Sequence, residues 1–196
     1  MVCPGRRRLL DAFPIGLSII GEGEWAAVKH GDRGKRAWKK LHLGVDRSGV
    51  IVAEVLTDGN ADDATTALGL IDEADGDIAS FTADAAYDTT AIYNAAAARG
   101  AKVIVPPRMS AARSKRSNAR DRTVRRIRKI GRRRWKKESG YHQQARVENT
   151  FFRYKSIIGD RLRARHPESQ EAEAMTACNI LNRMFELGRP KSFAVK

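Results

Sequence analysis

The sequence predicts an α/β domain built on a mixed sheet, and three observations carry that prediction. Residues 38–45 (WKKLHLGV) and 50–56 (VIVAEVL) are β-type segments joined by Asp46-Arg47-Ser48-Gly49, a tight turn, which makes them an antiparallel hairpin. Downstream, strand-like segments at 78–83 and 102–105 alternate with helix-like ones at 60–74 and 89–99, the pattern of parallel strands joined by crossovers. At 196 residues the chain is one domain of ordinary size, long enough to bury roughly 70 % of the surface its unfolded form exposes.

Taken in order, residues 17–20 (LSII) read as a short strand followed by the Gly-rich turn GEGEW, and His30 to Arg36 as a polar loop. In the hairpin, Leu41, Leu43 and Val45 share one face by strand alternation. The helix over 60–74 has cap-like residues at Asn60 and Asp63 and a buried stripe of Ala64, Ala67, Leu68 and Ile71. The strand 78–83 ends on Asp84. The Ala-rich helix 89–99 is closed by Gly100, and the strand 102–105 is stopped by Pro106-Pro107. The segment that follows reads as helical from about 117 to 130, and two further helices are expected at 142–157 and 168–187. The last of these buries Ala174, Ala177, Cys178, Leu181 and Phe185.

The charge is strongly localised. Residues 108–137 hold 15 basic side chains and one acid, Asp121, and so carry the whole net charge of +14; the remainder has 22 basic and 22 acidic side chains. A dense basic insert in a neutral domain points to a polyanion, which in a cytoplasmic protein is nucleic acid. Within it Arg125, Arg126, Arg132, Arg133 and Arg134 are candidates for phosphate contact; the alternative is a solvated, disordered loop. The two cysteines, Cys3 and Cys178, exclude a disulfide framework and a CxxC metal clip. No apolar run approaches the ~20 residues of a membrane span. A cytoplasmic, nucleoid-associated location without a membrane partner is therefore expected.

Two places could carry chemistry. Asp84 stands where an apolar strand ends, and in α/β sheets the carboxyl ends of strands face the ligand crevice. The small residues of TADAAYD leave room for an ion beside it, although an Asp here could equally cap the next helix. The second place is the helix after the insert. At 100° per residue, Tyr141, Gln144 and Lys155 all fall within roughly 40° of Glu148, and Phe151 and Phe152 flank them. That arrangement predicts a Glu148 carboxylate held against the core and in need of a partner. Lys155 could be that partner, in a purely structural contact, or a divalent metal shared with a second carboxylate could be.

Residues 17–188 resemble the RNase H-like domain of bacterial insertion-sequence DDE transposases, of the four/five-like group with a Y-x2-R-x3-E-x6-K signature. The matching blocks are GEGEWAAVKHG, WKKLHLGVD, LTDGNADDA, ADAAYDT, RGAKVIVPPR, SGYHQQARVENTFFRYKSIIGDRLRAR and LNRMFELGRP. The resemblance implies a domain at 16–190 carrying a basic insert at 106–138, after a non-family segment 1–15 and before a tail at 191–196. It also implies metal-dependent DNA strand cleavage and transfer, with two Mg²⁺ or Mn²⁺ ions held by Asp84 as second acid and Glu148 as third. Tyr141 and Lys155 would contact DNA, and the partners would be transposon ends, target DNA, and a second copy of the chain or an intact transposase.

The chain departs from the pattern at two positions. The signature Arg is Gln144, and Arg146 lies about 200° round the helix from Glu148. Where the family reads Asp-Ser-Thr-Gly-Leu, this chain reads Phe13-Pro14-Ile15-Gly16-Leu17, so the first acid is replaced by a phenylalanine. Asp11 is the nearest acid, ~6.6 Å back along a strand, and Pro14 fits a central strand poorly. The expectation is a 5′-truncated or frame-shifted gene whose family frame resumes near residue 16. Its product would have an impaired site or would be an inactive DNA-binding remnant. An unrelated basic nucleic-acid-binding protein is the remaining alternative.

Overall fold

A computed structural model describes residues 8–19, 38–112 and 119–188, with the side chains of residues 8 and 143–146 left out. The GEGEW turn, the 30–36 loop, the tail 191–196 and the side chains of Gln144 and Arg146 lie outside the described residues. The strands are β1 (Arg8–Ile19), β2 (Trp38–Val45), β3 (Ile51–Asp58), β4 (Ile78–Thr82), β5 (Lys102–Ile104) and β6 (Arg161–Leu162). The helices are α1 (Asp63–Glu73), α2 (Thr90–Ala98), α3 (Ala119–Ile130), α4 (Arg132–Ser139), α5 (Ala145–Arg153) and α6 (Pro167–Leu187). The sheet order is β3-β2-β1-β4-β5, with β6 also paired to β1. β1, β2 and β3 run antiparallel to one another in turn, whereas β4, β5 and β6 join by parallel pairing. This is the mixed α/β sheet of an RNase H-like domain.

Strand alternation divides β1 between two cores. Leu10 and Ala12 face a cluster with Ala67, Leu70, Phe81 and Ile92, beneath α1 and α2. Ile15 and Leu17 face another with Leu43, Val147, Phe151 and Leu181, beneath α5 and α6. Helices therefore cover both faces of the sheet, which is why its middle strands carry little polar surface.

The expected hairpin forms as β2 and β3. Its turn is fixed by the Asp46 carboxylate, which accepts from the Ser48 and Val50 amides at 2.8 and 3.1 Å. Gly49 takes φ = 96°, a left-handed conformation that suits glycine. α1 is capped by Asp62, which accepts from the Thr65 amide at 2.8 Å, rather than by Asn60 or Asp63. Its buried residues are Ala64, Ala67, Leu70 and Ile71, so Leu70 takes the place expected of Leu68.

Several expectations need correction. The strand read at 17–20 is the end of a twelve-residue central strand, and the boundary expected at residue 15 falls inside it. Pro14 is accommodated because of where the neighbouring ladders stop. β4 pairs with β1 up to Asp11, and β6 begins only at Ser18, so on that edge no ladder bond is required of residue 14. The helix expected at 142–157 is three pieces: a 3₁₀ turn at Tyr141–Gln144, α5, and a π turn at Tyr154–Ile158. The 100° wheel therefore does not hold across it. Phe185 on α6 is exposed rather than buried. The basic segment is a folded pair of helices, α3 and α4, with Asp121, Val124 and Trp135 buried, and not a solvated loop over its described part.

The C-terminus of α1 is closed by a single side chain. Arg99 donates to the carbonyls of Ile71, Asp72, Ala74 and Gly76 at 2.6, 3.0, 2.6 and 2.8 Å. A helix end leaves such carbonyls without intrahelical partners, and the planar guanidinium reaches all four at once. Arg99→Ala is expected to lower stability by about 2 kcal/mol, read as a shift of the urea midpoint. Arg99→Lys should recover little of it, since a point charge cannot reproduce the fork.

His42 is fully buried, with Nε2 2.9 Å from the Thr57 hydroxyl. Burial pulls its pKa below the ordinary value, against an upward pull from Asp63 and with a smaller downward one from Lys40. A lowered folded-state pKa gives stability that is present above the unfolded value near ~6.5 and lost as pH falls through the folded one. Urea midpoints should therefore fall on the acid side of pH ~6.5, and a His42→Leu variant should lose less of its own stability over that range.

Candidate active site

β4 stops at Thr82, and Asp84 stands two residues beyond its end. Asp84 caps the turn that follows, as one of its two readings expects. Its Oδ1 accepts from the Ala86 amide at 2.7 Å, capping the 3₁₀ turn Ala85–Tyr87, and it still occupies the carboxyl end of a parallel strand. The side chain is half-buried. Among the described residues β1 has no strand partner on that side between Asp11, where β4 ends, and Ser18, where β6 begins, which leaves a gap in the described sheet edge next to the end of β4.

The β1–β4 ladder ends at Asp11↔Thr82, so Phe13 and Asp84 each stand two residues beyond its last pair. The Phe13 ring packs on Phe151 of α5, with centroids 5.7 Å apart. Phe151 lies one helical turn beyond Glu148, so Phe13 reaches the same helix that carries that carboxylate. Asp11 is on the same face of β1 as Phe13 but deeper, 2 % exposed and already engaged with a partner.

α5 turns Val147 and Phe151 into the core and leaves Glu148 exposed. The expectation of a carboxylate held between two phenylalanines is thus corrected: Phe152 is 70 % exposed and gives no shelter. An exposed carboxylate keeps its hydration and needs no structural counter-charge. Lys155 is exposed on the π turn. Tyr141 connects the two acids. Its phenol is pushed above its usual pKa by burial first, then by Asp84 and Glu148, with Arg132 opposing. Both carboxylates therefore act on one phenol, although they are far apart in sequence.

The basic helices are attached to this corner by specific bonds. Asp88, one turn after Asp84, is buried and takes a two-pronged contact from Arg120, at 2.8 Å from Nε and 2.7 Å from Nη2. It also accepts from the Arg108 amide at 3.2 Å. Arg132 donates to the Pro107 carbonyl. Trp135 packs on the Tyr141 ring at 6.3 Å, and the Lys136 ammonium sits 4.7 Å over that ring. Of the arginines expected to meet phosphate, Arg125, Arg126, Arg133 and Arg134 are exposed, while Arg132 is half-buried and turned to the domain. Arg126 and Arg134 share Glu138, at 2.7 and 3.3 Å. Sequence reasoning missed Asp88, Arg120 and Trp135. The available signal was a second acid four residues after Asp84 and a tryptophan inside an otherwise charged run.

An RNase H-like sheet with an acid at the end of β4, another on the helix crossing behind, and a basic helical pair beside them defines a class of nucleic-acid-processing domains. Residues 4–183 match the family described as the Transposase DDE domain. The chain belongs to that family, whose members are transposases acting on DNA with the help of divalent metal. Among the described residues no group of three or more His, Cys, Asp or Glu side chains is placed to hold that metal. The β1 residue two beyond the last pair with β4 is Phe13, whose phenyl ring offers it no ligand. The described residues also contain no helix long and apolar enough to cross a membrane.

With only four tyrosines in the chain, the electrostatic arrangement is directly measurable by ¹³C-tyrosine NMR titration. Asp84→Asn and Glu148→Gln should each lower the Tyr141 pKa, since each removes a negative charge that disfavours the phenolate. A Tyr141 resonance indifferent to both substitutions would show that the two carboxylates do not face one site.

Proposed function

We propose that this chain is a transposase of the insertion-sequence four/five-like group that engages DNA but has an impaired strand-cleavage site. In this reading Asp84 and Glu148 are the two remaining acids, and Tyr141 and Lys155 orient the DNA strand. The exposed Arg125, Arg126, Arg133 and Arg134 hold the DNA backbone beside them, and Arg132 secures the basic helices to the domain. The partners are transposon-end and target DNA, and a further copy of a transposase chain is the expected protein partner.

The observation that carries the proposal is that Phe13 and Asp84 each stand two residues beyond Asp11↔Thr82, the last pair of the β1–β4 ladder. A strand-cleaving site of three acids needs a hard oxygen donor at that place in β1, and a phenyl ring has none. Water in its place could not supply the missing negative charge. Losing one preorganised charged group is expected to cost at least the ~10²–10³-fold associated with one oxyanion donor. The ring's contact with Phe151 also holds that corner apolar, so the same residue that removes a ligand raises the cost of hydrating the site. Asp11 could act as first acid only after a slip of two residues along β1, which would break its register with β2 and β4 together.

The test is Mg²⁺- or Mn²⁺-dependent cleavage of transposon-end DNA by the chain as it stands, by Asp11→Asn and by Phe13→Asp. The expected result is little cleavage by the first two and a gain of at least ~10²-fold on restoring the acid. Efficient cleavage by the unmodified chain that Asp11→Asn abolishes would make Asp11 the first acid and overturn the impaired-site reading.

A further inference from the structure

Outside the basic helices the chain is neutral only as a sum. Residues 153–166 (RYKSIIGDRLRARH) hold five basic side chains, Arg153, Lys155, Arg161, Arg163 and Arg165, against one acid, Asp160. Among the described residues, this second cluster starts at the far end of the gap in the sheet edge. β6 pairs with β1 from Ser18↔Arg161, seven residues along β1 from Asp11↔Thr82, where the β4 ladder ends, or ~23 Å at strand spacing. One basic body, the α3–α4 pair, is thus attached through Asp88 just after Asp84, and the other, the segment that follows β6, stands further along the same edge of β1.

The backbone of that segment is held, and its arginines are left outward. Leu162 is buried under α6, and the Ser18 amide donates to the Asp160 carbonyl at 3.0 Å. Glu173 of α6 accepts from the Arg163 amide at 3.0 Å and the Ala164 amide at 2.8 Å. The buried Gln170 donates to the Ala164 carbonyl at 3.1 Å. Glu173 is therefore engaged with main-chain N–H groups and not with a guanidinium. Arg161, Arg163 and Arg165 are exposed, and among the described residues no acid lies within ion-pair distance of Arg163 or Arg165. The Asp160–Arg161 pair is long, at 3.9 Å, with both side chains in water. A fixed backbone that presents unneutralised guanidinium groups favours a partner with regularly repeated negative charge.

We propose that Arg163 and Arg165 form a second nucleic-acid contact, which binds the phosphate backbone further along the same edge of β1 than the α3–α4 pair. The proposal rests on the reading of this chain as a DNA-binding transposase and extends it. A strand that crosses the gap would be held at both ends rather than at one. A phosphate backbone fits better than an acidic peptide because its charges recur every ~3.4 Å along each strand, so it can engage both basic bodies without a specific sequence.

The experiment is fluorescence-anisotropy titration of the full chain with a mixed-sequence DNA duplex at several salt concentrations. The variants are Arg163→Ala/Arg165→Ala, Arg163→Lys/Arg165→Lys and, on α3 and α4, Arg128→Ala/Arg133→Ala, each checked for folding by circular dichroism. Each phosphate contact contributes about 0.9 to the slope of log K against log[salt]. The alanine pair at 163 and 165 should flatten that slope by about 1.8, and the lysine pair should restore it because counterion release follows charge. An unchanged slope in the 163/165 alanine pair, with a flattened one in the 128/133 pair, would overturn the second contact and leave the DNA-binding reading intact. Absence of salt-dependent binding by the unmodified chain would overturn both. The same variants are titrated with labelled polyglutamate, and a 163/165 alanine pair that loses polyglutamate binding with its DNA binding unchanged would overturn the second contact and assign the cluster to an acidic protein.

Discussion

The parallel ladder between β1 and β4 is the constraint on which the remaining architecture depends. It joins the antiparallel half of the sheet to the parallel half, so both hydrophobic clusters are built around β1. The same ladder stops at Asp11↔Thr82, and among the described residues that edge of β1 has no further strand partner until Ser18, with Asp84 just beyond the end of β4. Because strand pairing is quantised in residues, a slip of one would exchange the two faces of β1 and expose Leu10, Ala12, Ile15 and Leu17 in the wrong cores. The pairing of β1 with β4 up to Asp11↔Thr82 is therefore as firmly held as the core itself.

The basic helices show how a strongly charged segment is made part of a fold. Fifteen positive side chains in thirty residues repel one another and would keep an isolated peptide extended. Three features oppose this. Asp88 binds Arg120 with two hydrogen bonds, Glu138 draws in Arg126 and Arg134, and Val124 and Trp135 bury apolar surface against the domain. A buried carboxylate such as Asp88 would be costly without Arg120, so the pair ties the position of α3 to the loop that begins at Asp84. The positive charge of these helices is thereby held beside the loop that begins at Asp84 and does not hang from a free tether.

The α5 region shows the opposite relation between pattern and structure. Spacing alone placed Tyr141, Glu148 and Lys155 on one stripe of one helix. The chain instead changes its winding twice, from 3₁₀ to α to π, while Val147, Phe151 and Tyr154 remain buried against the sheet. Packing selects the residues that face inward, and the helical hydrogen-bond pattern adjusts to serve them. Tyr141 still meets Glu148 electrostatically, but through the tertiary position of its 3₁₀ turn and not through a shared helical face.

The sequence by itself determined the class of sheet, the hairpin, the order of strands and helices, and the concentration of charge in one segment. Each of these is written in local periodicity, turn residues or composition, as with Leu41, Leu43 and Val45 or Asp46 to Gly49. Only the tertiary structure decided that Pro14 lies inside the central strand, because whether a missing N–H matters depends on which neighbouring strand has ended. It alone decided that Glu148 faces water, because the helix is aimed by Val147 and Phe151. It alone brought Asp88 to Arg120 and Phe13 to Phe151. These are long-range pairings, and their energies come from register and burial, which no local window of sequence contains.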